Sequence, residues 1–183
     1  MITAFDFKFL DFLQELRTPF LDAVFSFITR LGDEGIIWIL IALIMLCFKK
    51  TRKCGIIVAL ALILGTIVGN LGLKNIFARP RPFTLRPEMV DKIIISLPGS
   101  YSFPSGHTMS SFESAFAIFL YNKKWGIAPL ILAILIGFSR NYLYVHYLTD
   151  VIAGAVLGIV VAVIVYFIYK KYIDGKKIGK FEL

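Results

Sequence analysis

Three short clusters of residues carry side chains that can together transfer a phosphoryl group. The first is Lys74 with Arg81-Pro82, the second is Pro104-Ser105-Gly106-His107, and the third is Ser139-Arg140 with His146 and Asp150. The chain contains two histidines, and one lies in each of the last two clusters. An imidazole can act as a nucleophile or as a general acid and base, and cationic side chains stabilise phosphoryl oxygens. The three clusters together therefore indicate a catalytic site.

The third cluster pairs an imidazole with a carboxylate. His146 and Asp150 are four residues apart, so on a helix they would share one face. The carboxylate can accept a hydrogen bond from one imidazole nitrogen, which fixes the tautomer and leaves the other nitrogen free as a base or nucleophile. Arg140, six residues before His146, can reach the same oxyanion. Taken alone, the spacing also fits a structural pair at a helix end.

The first two clusters supply groups that bind anions. Ser105 and Gly106 precede an apolar run, where the backbone N–H groups of a helix N-terminus would form an anion site, and His107 is placed to protonate a leaving oxygen. Lys74 and Arg81 offer a point charge and a planar fork to phosphate oxygens. Each cluster alone has a structural alternative, an N-cap with a hydrogen-bonded histidine or a basic collar at a membrane surface.

The composition indicates a membrane protein. Apolar residues make up 58% of the chain and charged residues 17%, whereas soluble domains have about 45–50% and about 25%. Residues 54–73 and 151–169 are each long enough to cross a bilayer. Residues 36–48, 108–121 and 125–138 are shorter and also fit buried or re-entrant helices. We predict an all-α, polytopic membrane bundle with five transmembrane helices, or six if the N-terminal segment also crosses.

The distribution of charge predicts an orientation and three regions. Basic residues concentrate at residues 49–53, 123–124 and 170–180, which the positive-inside rule assigns to the cytoplasm and which form no stripe suited to nucleic acid. The C-terminus is then cytoplasmic, and all three clusters face the extracytoplasmic side. We predict an amphipathic, interfacial N-terminal segment (1–32), a transmembrane catalytic domain (33–172) and a basic tail (173–183).

The three clusters resemble the signature of the type 2 phosphatidic acid phosphatase (PAP2) superfamily. That signature is Lys, six residues, Arg-Pro; then Pro-Ser-Gly-His; then Ser-Arg, five residues, His, three residues, Asp. The chain matches it at every position. The resemblance spans about residues 33–170 and implies a helical membrane phosphatase that uses no metal or other cofactor. Many membrane members of this family have six spans, and we expect this chain to lack the first.

The resemblance also implies a role for each site residue. His146 is the expected nucleophile, forming a phosphohistidine, and Asp150 orients it. His107 is expected to protonate the leaving oxygen and then to activate water. The groups expected to bind the phosphate oxygens are Lys74, Arg81, Ser105, the Gly106 amide and Arg140.

An outward-facing site at a membrane surface suits a lipid phosphate as substrate. The resemblance offers undecaprenyl diphosphate, phosphatidylglycerol phosphate and phosphatidic acid, and we predict the diphosphate. Arg79 and Arg86 flank Arg81 and can neutralise a second phosphate, although a solvated interfacial position is the alternative for both. The sequence does not indicate an oligomeric state.

Two other functions use similar residues. A non-catalytic lipid-phosphate binding or transport protein would need the cations, but it would not need two histidines and an orienting carboxylate. A haloperoxidase binds vanadate in the same kind of pocket, but those relatives are soluble and larger. Glu113 lies within an apolar run, where it is either a functional group or a hydrogen-bond partner of a neighbouring helix.

Overall fold

The computed structural model describes residues 4–173, and every regular element in that range is helical, which confirms the predicted all-α class. The start of the N-terminal segment and most of the predicted basic tail (173–183) lie outside the described residues. The α-helices are α1 (Ala4–Glu15), α2 (Pro19–Leu31), α3 (Ile36–Cys47), α4 (Arg52–Gly65), α5 (Lys74–Phe77), α6 (Pro82–Leu85), α7 (Gly106–Tyr121), α8 (Lys123–Tyr142) and α9 (Leu148–Ile168). A π-helical stretch, Thr66–Leu73, makes α4 and α5 one continuous rod.

Helix α7 lies at the centre of the bundle and packs against α4, α8 and α9. It approaches α9 closely because two residues of α9 that face it are glycines. A Cβ atom on Gly154 would lie 2.8 Å from the Ser105 carbonyl oxygen, and one on Gly158 would lie 2.6 Å from that of Met109. Small residues let two helix backbones approach closely. This contact brings the start of α7, with the second cluster, against the start of α9, with Asp150.

Among the described residues, three helical segments are long and apolar enough to cross a membrane: Arg52–Leu85, Lys123–Tyr142 and Leu148–Ile173. Helices α3 and α7 have 12 and 16 residues, fewer than the roughly 20 that a bilayer requires. The outer face of α3 exposes isoleucine and leucine side chains, as a lipid-facing helix does. The membrane character of the bundle is therefore clear, and the count of five spans stays a prediction.

The N-terminal segment forms two helices that separate at Thr18-Pro19. Thr18 caps α2 by accepting a hydrogen bond from the Leu21 backbone N–H, and Pro19 occupies the first turn. Helix α1 turns Asp6 and Leu10 toward the protein and leaves Phe5 and Phe12 exposed. The apolar side chains of Phe5, Phe12 and Leu16 thus face outward. The inward face of α1 carries the buried Asp6 carboxylate, which has polar partners.

The proline-rich connection between α5 and α7 forms short helical turns and no long helix, as its sequence predicts. Arg81 stabilises this connection from within. Its guanidinium donates to the backbone oxygens of Ser100 at 2.6 Å and Tyr101 at 3.2 Å. The connection therefore folds back over the bundle and carries the Arg81 side chain into the interior.

Candidate active site

One pocket of about 510 Å³ gathers residues from all three clusters. Its lining includes Lys74, Arg81, Gly106, His107, Arg140 and His146. Lys74 is the first residue of α5, Arg81 belongs to the proline-rich connection, and the others come from α7, α8 and the loop that follows α8. Residues as much as 72 positions apart in the sequence (74 to 146) thus meet at one end of the bundle.

His146 presents one ring nitrogen to the pocket and the other to Asp150. Arg81 Nη1 lies 3.1 Å from His146 Nε2. A guanidinium only donates, so Nε2 must be the accepting nitrogen and the proton sits on Nδ1. Nδ1 lies 3.4 Å from Asp150 Oδ2. The neutral tautomer therefore carries its lone pair on the pocket side, as a nucleophile requires.

The pocket environment keeps the His146 side chain neutral. Burial is the main cause that lowers its pKa well below 6.5, and the nearby Arg81 charge lowers it further, while the hydrogen bond to Asp150 opposes both. Backbone contacts hold the residue in place. Asn141 Nδ2 donates to the His146 carbonyl oxygen at 3.0 Å, and the His146 N–H donates to the Arg140 oxygen at 3.3 Å.

Asp150 is fully buried, and both of its carboxylate oxygens are hydrogen-bonded. Oδ2 accepts from Ser102 Oγ and from the Tyr147 backbone N–H at 3.0 Å, and Oδ1 accepts from Arg79. His146 lies before α9, while Asp150 is in its first turn and caps it through Tyr147. The predicted pair is thus adjacent, but it does not share a helix face, because the helix begins between the two residues.

His107 lies in the first turn of α7, with its side chain 20% exposed. Its Nε2 is 2.9 Å from Asp33 Oδ1. An ionised carboxylate only accepts, so this contact holds a proton on Nε2. Asp33 belongs to a short turn between α2 and α3 in which Glu34 and Gly35 have positive φ. Gly32 gives the ring room, because a Cβ there would lie 2.8 Å from His107 Cδ2.

Three cationic side chains surround the space between the histidines. Arg81 and Arg140 are 4% and 2% exposed, and Lys74 is partly buried. Arg140 Nη1 donates to Thr29 Oγ1 on α2. Within residues 4–173, none of the three forms an ion pair with a carboxylate. Buried charges are costly without a counter-charge, so the pocket is built to receive an anion.

Ser105 and Gly106 perform different tasks at the start of α7. Ser105 is fully buried, and its hydroxyl accepts hydrogen bonds from the Thr108 N–H at 3.4 Å and the Thr108 hydroxyl at 2.9 Å. It caps the helix and lies behind the pocket lining. Gly106 lines the pocket, and a Cβ there would lie 3.6 Å from Lys74 Nζ. The arrangement leaves the Gly106 backbone open to an anion that Lys74 binds.

Sequence comparison now identifies the family. The family model of the PAP2 superfamily matches residues 54–174, about two thirds of the chain. The chain belongs to the PAP2 superfamily. Every signature position lies within the matched range, and the predicted family assignment is confirmed.

Named relatives and a solved structure agree with this assignment. The chain is 34% identical over 140 residues to the undecaprenyl-diphosphatase of Sulfolobus acidocaldarius, covering 75% of this chain and 66% of that protein. It is 31% identical to phosphatidylglycerophosphatase B of Bacillus subtilis, covering 91% and 81%. The crystal structure of the transmembrane PAP2 type phosphatidylglycerolphosphate phosphatase from Bacillus subtilis superposes with a TM-score of 0.76 and 27% identity, covering 95% and 87%. The chain thus spans just under two thirds of the length of the first of these relatives.

The two residues of this PAP2 protein that were predicted to contact a second phosphate also lie outside the pocket lining. Arg79 is buried between Asp150 and Asp6, and Arg86 pairs with Asp11 at 2.5 Å. Each guanidinium is engaged by carboxylates of the protein, so the geometry does not support the predicted contact with a second phosphate. Their position beside Arg81 in sequence suggested a shared direction, but the prolines that separate the residues turn the side chains apart.

Sequence reasoning missed Asp33, which contacts His107, and Ser102, which contacts both Asp150 and His146. Asp33 carried one weak signal, an acidic residue in a glycine-flanked turn between two apolar segments. Ser102 carried none, because serine is ordinary in a proline-rich loop. Glu113, which the sequence left open, is 1% exposed on α7 and lies against Gly65 of α4, outside the pocket lining.

Proposed function

We propose that this protein is a membrane lipid phosphatase that hydrolyses a lipid diphosphate through a phosphohistidine intermediate. One observation carries the proposal: His146, oriented by Asp150, and His107, bound to Asp33, line one pocket with three cations that lack carboxylate partners among the described residues. Binding alone would need the cations. It would not need a nucleophile whose tautomer is set by a buried carboxylate.

The proposed reaction has two steps. His146 Nε2 attacks phosphorus, the bond from phosphorus to the leaving oxygen breaks, and the His107 imidazolium, whose Nε2–H stays bound to Asp33, donates its Nδ1 proton to that oxygen. Water then attacks the phosphohistidine while His107 accepts its proton, which releases phosphate and restores His146. Lys74, Arg81, Arg140 and the Gly106 amide stabilise the phosphoryl oxygens in both steps. Each step is assigned to a group of the protein, so the mechanism uses no metal or cofactor.

Undecaprenyl diphosphate is the proposed substrate, and phosphatidylglycerol phosphate or phosphatidic acid is the alternative. The names of the relatives support both kinds of substrate. The pocket adds a reason to favour a diphosphate, because Arg30 of α2 is exposed and lines the same pocket as Arg140. Arg30 thus takes the place that the sequence prediction gave to Arg79 and Arg86. It is placed to bind the second phosphate outside the buried site.

We also propose that the site opens on the extracytoplasmic side. The pocket lies where the π-helical continuation of α4 meets Lys74 of α5, and at the Gly106 end of α7. The basic segments 49–53 and 123–124 lie at the opposite ends of the same helices. The positive-inside rule assigns those basic ends to the cytoplasm. A cysteine placed at exposed Ile94 should react with a membrane-impermeant maleimide in intact cells, and labelling only after lysis would contradict this orientation.

Phosphate release from a lipid panel tests the function. The purified protein in detergent should release phosphate from a prenyl diphosphate faster than from phosphatidylglycerol phosphate or phosphatidic acid, with and without EDTA. Arg30→Ala should slow the diphosphate selectively, whereas Arg86→Ala serves as the matched control. If no lipid phosphate is hydrolysed although binding is retained, the non-catalytic alternative is correct. A faster reaction with phosphatidylglycerol phosphate would refute the substrate and leave the phosphatase assignment intact.

A further inference from the structure

A polar network extends behind His146, on the side away from the pocket, and it begins on the N-terminal helix. Asp6 of α1 is 0% exposed. Its carboxylate accepts hydrogen bonds from the Thr149 N–H at 3.1 Å and from the Thr149 hydroxyl at 3.0 Å. A buried carboxylate is costly unless it is paired and hydrogen-bonded. Asp6 therefore occupies a specific position at the start of α9, next to Asp150.

Arg79 connects Asp6 to the catalytic carboxylate. Its Nη2 donates to Asp6 Oδ2 at 3.0 Å, and its Nη1 donates to Asp150 Oδ1 and to Thr149 Oγ1, the latter at 2.8 Å. The guanidinium carbon lies 4.1 Å from the centroid of the Tyr147 ring, which fixes the plane of the group. One guanidinium is thus shared between two buried carboxylates, and the second of them faces His146.

Other contacts hold α1 against the loop that carries His146. Leu10 packs in one cluster with Tyr144 and Tyr147, and the Phe7 ring meets the Tyr147 ring edge-on at 5.5 Å. Gln14 Nε2 donates to the Tyr142 carbonyl oxygen at 3.0 Å. The position of Asp6 is therefore set by a whole helix face and does not depend on one flexible side chain.

We infer that Asp6 is a positioning residue of the phosphatase, which shares the charge of Arg79 and thereby leaves the Asp150 charge available to His146. The inference rests on the roles proposed above for His146 and Asp150. Arg79 fixes Asp150 Oδ1, so Oδ2 points to the imidazole. Without the Asp6 charge, Asp150 would balance more of the Arg79 charge, and the imidazole would lose part of the negative charge that stabilises it during attack. Helix α1 is then part of the catalytic apparatus.

Asp6→Asn tests this inference, because it removes the charge and keeps a hydrogen-bond acceptor for Thr149. We expect kcat to fall about tenfold, the lower end of the range for outer partners of active-site groups. KM should stay unchanged, because the cations that bind the substrate phosphate are not altered. Asp6→Glu should recover part of the loss. The matched control is Asp11→Asn on the same helix, whose partners Arg86 and Tyr144 lie outside the pocket lining. This control should keep the wild-type kcat.

A double-mutant cycle separates positioning from ordinary helix packing. The rate is measured as single-turnover release of radiolabelled phosphate. In an Asp150→Asn background, Asp6→Asn should cause no further loss of this rate, because the effect of Asp6 passes through Asp150. An equal loss in both backgrounds, or a wild-type kcat for Asp6→Asn, would overturn the inference. The inference would also be overturned if Asp11→Asn lowered Tm and kcat by as much as Asp6→Asn does. The substrate in these comparisons is the lipid phosphate that the wild-type protein hydrolyses fastest. If the wild-type protein hydrolyses no lipid phosphate, the result contradicts the proposed function and not this inference.

Discussion

Replacing Asp33 with Asn should slow the step that needs a proton from His107. The substitution removes a negative charge 2.9 Å from His107 Nε2 and keeps the size of the side chain. A hydrogen bond to a charged group contributes about 1.5–3 kcal/mol. Because the Asp33 side chain is 52% exposed, solvent screens the contact, and about 1 kcal/mol is the appropriate figure. We therefore expect the first step to slow about fivefold.

The dependence on the leaving group gives this prediction its specificity. A lipid alkoxide or phosphate must be protonated as it leaves, whereas p-nitrophenolate leaves without a proton. The burst of p-nitrophenol from p-nitrophenyl phosphate reports formation of the phosphohistidine. Asp33→Asn should leave this burst rate unchanged and should slow the first turnover of the lipid substrate.

Two results would refute this reasoning. An equal loss with both leaving groups would mean that Asp33 supports phosphate binding or the fold. An unchanged rate with the lipid would mean that the contact with His107 has no kinetic role. Glu88→Gln is the charge-matched control, since Glu88 is an exposed carboxylate outside the pocket lining. It should match the wild-type protein in both assays.

His146→Ala should abolish turnover and eliminate the acid-labile phosphoenzyme that labelled substrate leaves on quenched wild-type protein; a surviving phosphoenzyme would place the nucleophile elsewhere. Arg81→Gln removes a cation that lowers the pKa of His146, so this pKa should rise and the acid limb of the kcat/KM profile should move to higher pH; an unmoved limb would contradict the assignment of His146. Gly158→Val should destabilise the bundle by about 1–3 kcal/mol, seen as a lower Tm, because its Cβ would lie 2.6 Å from the Met109 oxygen. Gly99→Ala, where a Cβ meets nothing within 4 Å, is its control.

Much of the fold was predictable because it follows from local properties of the chain. Apolar runs locate the helices, Thr18-Pro19 separates α1 from α2, and Ser105 marks the start of α7. The π-helical stretch was not predictable, because its residues are as apolar as those of an ordinary span. The span count also remains a prediction, since α3 and α7 are short.

The site was predictable only where its residues are part of a signature. Lys74, Arg81, His107, Arg140 and His146 line one pocket, as their spacing in the signature suggested. The partners of the histidines are set by tertiary contacts across long sequence separations, 74 residues for Asp33 with His107 and 48 for Ser102 with Asp150. No local pattern encodes such contacts. The same reason explains why the sequence did not indicate the position of Arg79, whose partner Asp6 is 73 residues away.

The two histidines differ in how firmly their partners are held, and this difference fits their proposed roles. The orienting carboxylate of His146, Asp150, is 0% exposed and is bound by Ser102 and Arg79, whereas Asp33, the partner of His107, is half exposed on a turn. In an in-line reaction, the leaving group departs and water arrives on the side opposite the nucleophile. That side must admit and release molecules, while the nucleophile side must exclude them. A rigid, buried partner behind His146 and a solvent-exposed partner beside His107 are therefore the arrangement that a two-step transfer through one pocket requires.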